Sequence, residues 1–487
     1  MFLDFNAILG GLITEERGVI NGEYTAVCRD SRKVVSGSVF VAIRGGVCDG
    51  HDFIDSALLA GAKCIVAEHL PAGATGVKVS DSAAADALLQ KAFYGNSDED
   101  LDLFGVTGTN GKTTSVYILQ HILNSCFVSC GLLSTIEWRL GKNDVQKSNC
   151  TTPDSASFYT CLNQMRNNGM KAAAFELSSH ALHQKRVHGI KMRGAVLTNI
   201  TRDHLDYHGN AENYFNAKKI CFTKLLDPDY GAAVINVDDA GGKRMARELA
   251  GFCRIITFGS TPEAEWMITD FASNSEGMSF TLKNYCGSYH ITSQLCGRHN
   301  AENLTGAILL ALDYGIPAEK VLSAAAEYIR IPGRLEKYTD SDGICYFIDY
   351  AHTPDALAKV LSTLKKQTSG KLIAVFGAGG DRDRGKRSEM GSAVSGYANE
   401  LIITSDNPRS EDPLDIIQDI VSGLPSYAEY HIEPDRRLAI KEAVLRAKHG
   451  DTVLISGKGH EDYQEICGVR HPFSDAVELG KLLEELK

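Results

Sequence analysis

The stretch GVTGTNGKTT at 105–114 constrains this chain most. It is a Gly-rich turn set between an apolar run (Leu101, Leu103, Phe104, Val106) and a helical pattern from Ser115 to Leu123. A turn of that kind aims backbone N–H groups and a helix N-terminus at one point, which suits a phosphate. Lys112 can then reach the terminal phosphates and the Thr113 hydroxyl can ligate Mg²⁺. The first glycine of the common GxxxxGK[ST] pattern falls at Val106, so this is a variant loop. Gly108, Thr109, Asn110, Gly111, Lys112, Thr113 and Thr114 are expected to bind a nucleotide.

A phosphate loop needs an α/β frame, and the chain supplies one. At 487 residues there is room for about three domains. Residues 1–100 read as a small α/β domain, with strands at 39–45 and 64–68 and a helix at 52–61. Residues 101–331 read as a mostly parallel sheet with intervening helices, carrying strands at 101–106, 172–177, 194–200 and 232–237. Pro332 and Gly333 mark the second boundary. Residues 332–487 read as a Rossmann-like doubly wound domain, with strands at 346–350, 371–377, 400–405, 430–433, 451–456 and 468–473. Ligands of such a sheet sit at the carboxyl ends of its strands. The fold class is therefore α/β in three domains.

Composition narrows the partners. Lys plus Arg is 50 against Asp plus Glu 61, a net charge of -11, which argues against general nucleic-acid binding. Thirteen cysteines include no CxxC pair, so neither a disulfide framework nor a structural zinc site is expected. No long apolar run and no basic leader appear, and the expected address is the cytoplasm, without membrane insertion and as a monomer.

Several further positions carry chemistry. Glu176 closes the strand AAAFEL where a phosphate-loop protein needs a carboxylate for its metal. Asp203, His204, Asp206 and His208 crowd the loop 201–209; a zinc site or plain loop-shaping are both open, and His204 is the favoured metal or phosphate contact. In the next helix Tyr214, Ala217, Cys221, Phe222 and Leu225 repeat at helical spacing, with Lys218 on that face and Lys219 pointing away. A desolvated lysine is a free amine, able to take up CO₂ as a carbamate. The alternative is a lysine that snorkels to solvent.

Twelve motifs, in order, resemble the Mur ligase family. They are DSR (30–32), GTNGKTT (108–114), TTPD (151–154), FELSSHALHQKRV (175–187), TRDHLDYHG (201–209), NYFNAKK (213–219), GRHNAEN (297–303), IPGRLE (331–336), DYAHTPDAL (349–357), GAGGDRDRGKR (377–387), SDNPR (405–409) and GKGHEDYQ (457–464). The resemblance implies an ATP- and Mg²⁺-dependent amide ligase of peptidoglycan precursor synthesis. It would add meso-diaminopimelate to the D-Glu γ-carboxylate of UDP-N-acetylmuramoyl-L-Ala-D-Glu through an acyl phosphate. The UDP end would lie in the N-terminal domain, ATP in the central one and the amino acid in the C-terminal one.

By motif match, Ser31 is implied near the uridine diphosphate, and Thr151, Thr152, Ser178, Gln184 and Arg186 at the muramoyl-dipeptide. Thr151 and Thr152 also suit a helix cap. Asn300, Arg334 and Asp349, with His352, are implied around the nucleotide bound by 108–114, which the resemblance implies is ATP, and residues on both sides of 330–338 would then serve it. Thr113, Glu176, His204 and Lys218 as its carbamate are the implied metal ligands, and Lys112, Lys218, His204 and Glu176 the implied catalytic set. Arg382, Asp406, Asn407, Pro408, Arg409, Gly457 and Glu461 are implied at the diaminopimelate, whose distal carboxylate needs a cation. A lysine-adding relative, a folylpolyglutamate synthase-like ligase and a nucleotide-binding scaffold without turnover are the rival readings.

Overall fold

The structure is a computed structural model that describes every residue except Val47, Asn149, Ser275, Tyr328, Ile329, Leu486 and Lys487. The chain forms two compact units. One comprises Met1–Ile268, Leu282–Ser288 and Glu302–Ala325; the other comprises Thr269–Thr281, Tyr289–Ala301 and the chain from Ala326 onward.

Besides a two-stranded pair of Phe2–Leu3 with Gly22–Glu23, the first unit contains two main sheets. The N-terminal one runs, in space, Ile13–Arg17, Gly76–Val79, Cys64–Ala67, Val39–Val41, Val27–Cys28, and is parallel apart from its first pair. The larger sheet places Cys130–Leu133, Ala172–Leu177, Asp102–Thr107, Gly194–Leu197, Ala232–Asn236 and Arg254–Gly259 side by side, all parallel. These strands are continuous apolar runs because helices cover both faces. Fully burying one Leu, Ile or Phe contributes about 1.5–3 kcal/mol, and Phe104, Phe158, Phe175 and Phe222 are all buried here.

Register fixes the site. Glu176 pairs with Val106 and Leu177 with Thr107, while Leu197 pairs with Thr107 on the other side. The residues that follow these three strands therefore emerge together around the loop 108–111.

One segment departs from the expected alternation. After Arg254–Gly259 come three strands in succession, Trp266–Asn274, Gly277–Asn284 and Gly287–Ser293, without a helix between them. Their side chains alternate between more and less buried positions, a half-exposed pattern that gives no continuous apolar run to read.

In the second unit, six strands run in the order Glu336–Thr339, Cys345–Asp349, Thr452–Ser456, Leu372–Phe376, Glu400–Ile403, Tyr430–Ile432. Only the first is antiparallel to its neighbour. Leu357, Leu361, Met390 and Ile417 pack on one face, Ile440, Ala443 and Leu479 on the other, as doubly wound topology requires. The expected strand near 468–473 is instead half of a separate hairpin, Tyr463–Ile466 with Val469–Pro472. Arg436 is wholly buried and holds Asp475 through Nε (2.7 Å) and Nη2 (2.8 Å), and also donates to the Ser456 carbonyl at 2.9 Å. This pair ties helix Arg436–Arg446 beneath the strand end Thr452–Ser456.

Candidate active site

The loop 108–111 is shaped by close approach. Gly108 (φ +151°) leaves no room for a side chain, since a Cβ there would lie 1.9 Å from Thr198 Oγ1. Gly111 has φ +87°, and its Cβ would lie 2.3 Å from Asn303 Oδ1. Thr198 Oγ1 donates to the Asn110 carbonyl (2.6 Å), and Asn199 Oδ1 accepts from Asn110 N (3.0 Å). Side chains just beyond a neighbouring strand thus hold the loop open. Lys112, first residue of helix Lys112–Ser125, folds back to donate to the carbonyls of Gly108 and Thr109, both at 2.9 Å.

Glu176 is buried beside this loop. Its two oxygens accept from Thr135, Oε1 from the backbone N–H at 2.7 Å and Oε2 from the hydroxyl at 3.2 Å. The Thr135 hydroxyl also reaches Thr151 Oγ1 at 3.2 Å. Thr152 is no helix cap, because Asp154 caps helix Ser155–Asn167 by accepting from Ser157 N at 2.9 Å. Instead Thr152 Oγ1 donates to the Glu176 carbonyl (2.8 Å) and accepts from Ser178 N (3.0 Å). Arg186 donates to the Thr152 carbonyl (2.7 Å) and to Gln184 Oε1 through Nε (3.0 Å) and Nη2 (2.7 Å). Thr151, Thr152, Ser178, Gln184 and Arg186 are therefore one connected set next to Glu176. Ser31 opens a separate turn, Ser31–Lys33, capped by Asp30.

Lys218 behaves as its spacing suggests. It is 1% exposed, while Lys219 pairs with Glu248 at 2.8 Å. Its Nζ donates to the Gly108 carbonyl at 2.8 Å and lies 4.6 Å from the Tyr214 ring centroid. Burial, with added repulsion from Lys112, holds its ammonium well below the usual lysine range. The ammonium form of Lys218 is thereby disfavoured beside the phosphate loop.

His204 adopts a left-handed backbone (φ +51°), and burial lowers its pKa. Asp203 Oδ2 is 3.5 Å from its Nε2, whereas His208 turns to Ser179 Oγ (3.0 Å) and is pushed down to about 4 by burial and neighbouring histidines. Among the described residues, no group of three His, Cys, Asp or Glu side chains is placed to hold a metal by itself. The oxygen donors Thr113 and Glu176 do fit a hard cation that arrives with phosphate oxygens.

The second unit presents two arrangements of its own. A cavity is lined by Cys296, Asn300, Ile331, Arg334, Leu335 and Phe347. Asn300 Nδ2 donates to the Cys296 carbonyl (2.9 Å), and the Arg334 guanidinium stacks 4.7 Å from the Tyr350 ring. Asp349 is buried; its oxygens accept from Leu335 N (2.7 Å) and Ala351 N (2.8 Å), and burial raises its pKa against the pull of Arg334. His352 Nδ1 meets the Tyr350 carbonyl at 2.8 Å.

The other arrangement gathers at the carboxyl ends of Leu372–Phe376, Glu400–Ile403 and Thr452–Ser456. Gly457 (φ +116°) passes so close to Asp406 that a Cβ would lie 2.5 Å from Oδ2. Asn407 Nδ2 donates to Glu461 Oε2 at 2.8 Å. Arg409 sits at φ +53°, held by its N–H on the Glu465 carbonyl (3.0 Å) and by Cys467 N on its own carbonyl (2.7 Å). A non-glycine residue in that region stores about 1–3 kcal/mol of strain, a feature concentrated at functional sites. Its Nη1 donates to the Gly380 carbonyl (2.5 Å), and Pro408 lies against Gly380. Gly379 lies between Arg409 and the exposed Arg382, 3.0 Å from Nη1 of the former and 3.8 Å from Cγ of the latter by a Cβ built on it.

Sequence reasoning missed Thr135, Thr198, Asn199, Tyr207 and Lys458, which hydrogen-bond expected site residues, and Asn303, which lies against Gly111. The residues TN at 198–199, at the end of an apolar strand, carried a usable signal for two of them.

A phosphate loop on a parallel sheet, with a buried lysine beside it, and a doubly wound unit with a charged strand-end pocket suit a nucleotide-dependent ligase. The family descriptions that match are, in chain order, "Mur ligase family, catalytic domain" over 23–94, "Mur ligase middle domain" over 106–311 and "Mur ligase, glutamate ligase domain" over 333–459. The chain belongs to the Mur ligase family and is a ligase.

More particularly, it is 38% identical to the UDP-N-acetylmuramoyl-L-alanyl-D-glutamate--2,6-diaminopimelate ligase of Geobacter metallireducens, covering 97% of this chain and 96% of that one. It is 41% identical to the ligase of the same name from Aquifex aeolicus, over 93% of this chain and 92% of the relative. A solved structure of a protein with that name superposes with a TM-score of 0.72 at 35% identity, over 100% of this chain and 99% of the other.

Proposed function

We propose that the chain uses ATP to join meso-diaminopimelate to the D-Glu γ-carboxylate of UDP-N-acetylmuramoyl-L-Ala-D-Glu, through an acyl phosphate. The observation that carries the reading is the buried Lys218 amine, 2.8 Å from the phosphate loop's Gly108 carbonyl and with its ammonium form disfavoured by burial. Such an amine can add CO₂ and release a proton to solvent, becoming a carbamate anion where the phosphates bind.

The chain mainly positions reactants and stabilises charge. Gly108–Thr114 bind the phosphates, and Lys112 swings from its own loop's carbonyls to the terminal phosphate. Asn300, Arg334 and Asp349 serve the nucleoside end. Thr151, Thr152, Ser178, Gln184 and Arg186 hold the dipeptide, with Arg186 aimed at a carboxylate. Thr113, Glu176, His204 and carbamylated Lys218 would hold Mg²⁺, which when bound offsets the charge of the phosphates. Ser31 serves the UDP end. In the second unit, Arg409 and Arg382 take a carboxylate of diaminopimelate, while Asp406 and Glu461 take its ammonium groups, with Asn407, Pro408 and Gly457 shaping the wall. Functional boundaries near residues 100 and 331, a monomeric state and a cytoplasmic address complete the proposal. No helix among the described residues is long and apolar enough to cross a membrane.

Phosphate release with ATP and the UDP-muramoyl-dipeptide tests this, comparing meso-diaminopimelate, L-lysine and no amino acid. Release that needs diaminopimelate supports it. Equal rates with lysine would overturn the specificity, and no amine-dependent release would overturn the activity.

A further inference from the structure

Lys458 is a wholly buried cation in the second unit, and both side chains it contacts as a donor are expected amino-acid contacts. It follows strand Thr452–Ser456 and sits between two glycines in left-handed conformations, Gly457 (φ +116°) and Gly459 (φ +53°). A Cβ on Gly459 would lie 2.8 Å from Tyr350 Cβ, so the backbone on both sides of Lys458 is fixed by close packing. From there Nζ donates to Asn407 Oδ1 (3.1 Å) and to Glu461 Oε2 (3.0 Å). Asn407 Nδ2 closes the triangle by donating to the same Glu461 Oε2 at 2.8 Å. Glu465 N adds a second donor to Asn407 Oδ1 at 2.9 Å.

We infer that Lys458 is a positioning residue that sets the specificity of the amino-acid pocket, by fixing the Asn407 amide and engaging one oxygen of Glu461. Two donors on Asn407 Oδ1 leave its amide a single orientation, with Nδ2 toward Glu461. Both donors to Glu461 land on Oε2, and Oε1 takes neither. Oε1 is then the oxygen presented to a substrate ammonium. The cation also offsets one carboxylate charge, so the pocket holds its acids close together without a substrate bound. Without Lys458, the Asn407 amide is held by the Glu465 N–H with one donor fewer and Glu461 loses its cation, so an incoming ammonium must first reorganise the wall. Substrate orientation should suffer while ATP chemistry in the other unit does not.

This inference rests on the proposed amide-ligase reading, and the experiment separates the two. Steady-state phosphate release by the full-length wild type judges the reading on its own. Lys458→Gln, which keeps a donor but not the charge, and Lys458→Met, which keeps neither, are then compared with it. Expected is a rise in KM for the amino acid of about tenfold in the Gln variant and more in the Met variant, the factor that follows from about 1.4 kcal/mol of lost interaction. KM for ATP and for the UDP-muramoyl-dipeptide should stay within about twofold. An unchanged amino-acid KM in Lys458→Gln, or a parallel rise for all three substrates, overturns the inference.

Thermal unfolding of Lys458→Gln, Glu461→Gln and the double variant gives a second readout that needs neither turnover nor the Met variant. Strong non-additivity supports the triad, and simple additivity of the two single effects overturns it even if the wild type proves inactive with diaminopimelate.

Discussion

Two lysines are buried to within 1% of full enclosure, Lys218 in the first unit and Lys458 in the second, and their surroundings are opposite. Lys218 has a carbonyl and a tyrosine ring beside it and is repelled by Lys112. Lys458 has a carboxylate and an amide oxygen. Burial alone therefore decides nothing about a lysine; its partners do. In the first case the fold disfavours the ammonium form. In the second it keeps an ammonium that organises a wall, as Arg436 with Asp475 does beneath the same strand end.

The largest effect that tests this contrast is on Lys218. Lys218→Met should lower kcat by about 10²–10³-fold, the scale of removing one electrostatic group from a reaction site. Short carboxylates should restore part of it if a carbamate is what was lost. Folding should move the other way, because methionine removes a desolvated amine without leaving a carboxylate unpaired. The sign with pH follows from linkage. Folded-state pKa is depressed below 10.5, so the unfolded chain binds more protons between the two values and the wild type gains stability as pH rises. The stability advantage of Lys218→Met should shrink as pH approaches 10.5. Denaturant unfolding at several pH values checks this, and a gap that widens with pH would break the contrast. Lys458→Met should lose stability, since Glu461 and Asn407 are left short of a donor.

Next in size is Arg409→Ala. Losing one partner of a desolvated charge pair costs about 2–5 kcal/mol, so KM for diaminopimelate should rise roughly 100-fold. KM for ATP should hold. A parallel rise in both would show that the strained φ +53° backbone at Arg409 serves the fold and not the pocket.

Chemistry was readable in the sequence where it is local. The loop 105–114 carries its own strand, turn and helix, and Lys218 declares its buried face through Tyr214, Cys221 and Leu225. Contacts made across long separations were not readable. Thr135 meets Glu176 across 41 positions and Lys458 meets Asn407 across 51. Nothing in the local pattern around either residue says so. Lys458 lay inside a recognised motif, GKGHEDYQ, yet a lysine between two glycines reads as an exposed loop until the φ values of those glycines are known. The consecutive strands from 266 to 293 escaped for a different reason: half-exposed alternation is weaker than the unbroken apolar runs that announced the parallel strands.

The smallest expected effect falls on Tyr207, in helix Leu205–His208 just after His204. Its hydroxyl accepts from Gln184 Nε2 at 3.0 Å and meets His183 Nδ1 at 3.0 Å. Gln184 in turn accepts from both Nε and Nη2 of Arg186, whose third nitrogen, Nη1, donates to the Thr152 carbonyl. The loop carrying His204 is thus linked, through the neutral Tyr207–Gln184 bond, to the arginine proposed for the dipeptide, the counterpart in the first unit of the charged triad around Lys458. Neutral bonds of this kind contribute about 0.5–1.5 kcal/mol each. Tyr207→Phe should therefore raise KM for the UDP-muramoyl-dipeptide by about two- to tenfold, leaving KM for diaminopimelate unchanged. A dipeptide KM equal to that of the wild type would mean that Gln184 and Thr152 hold Arg186 without help from Tyr207. An effect as large as that of Lys458→Met on its own substrate would erase the distinction between a neutral brace and a buried charge.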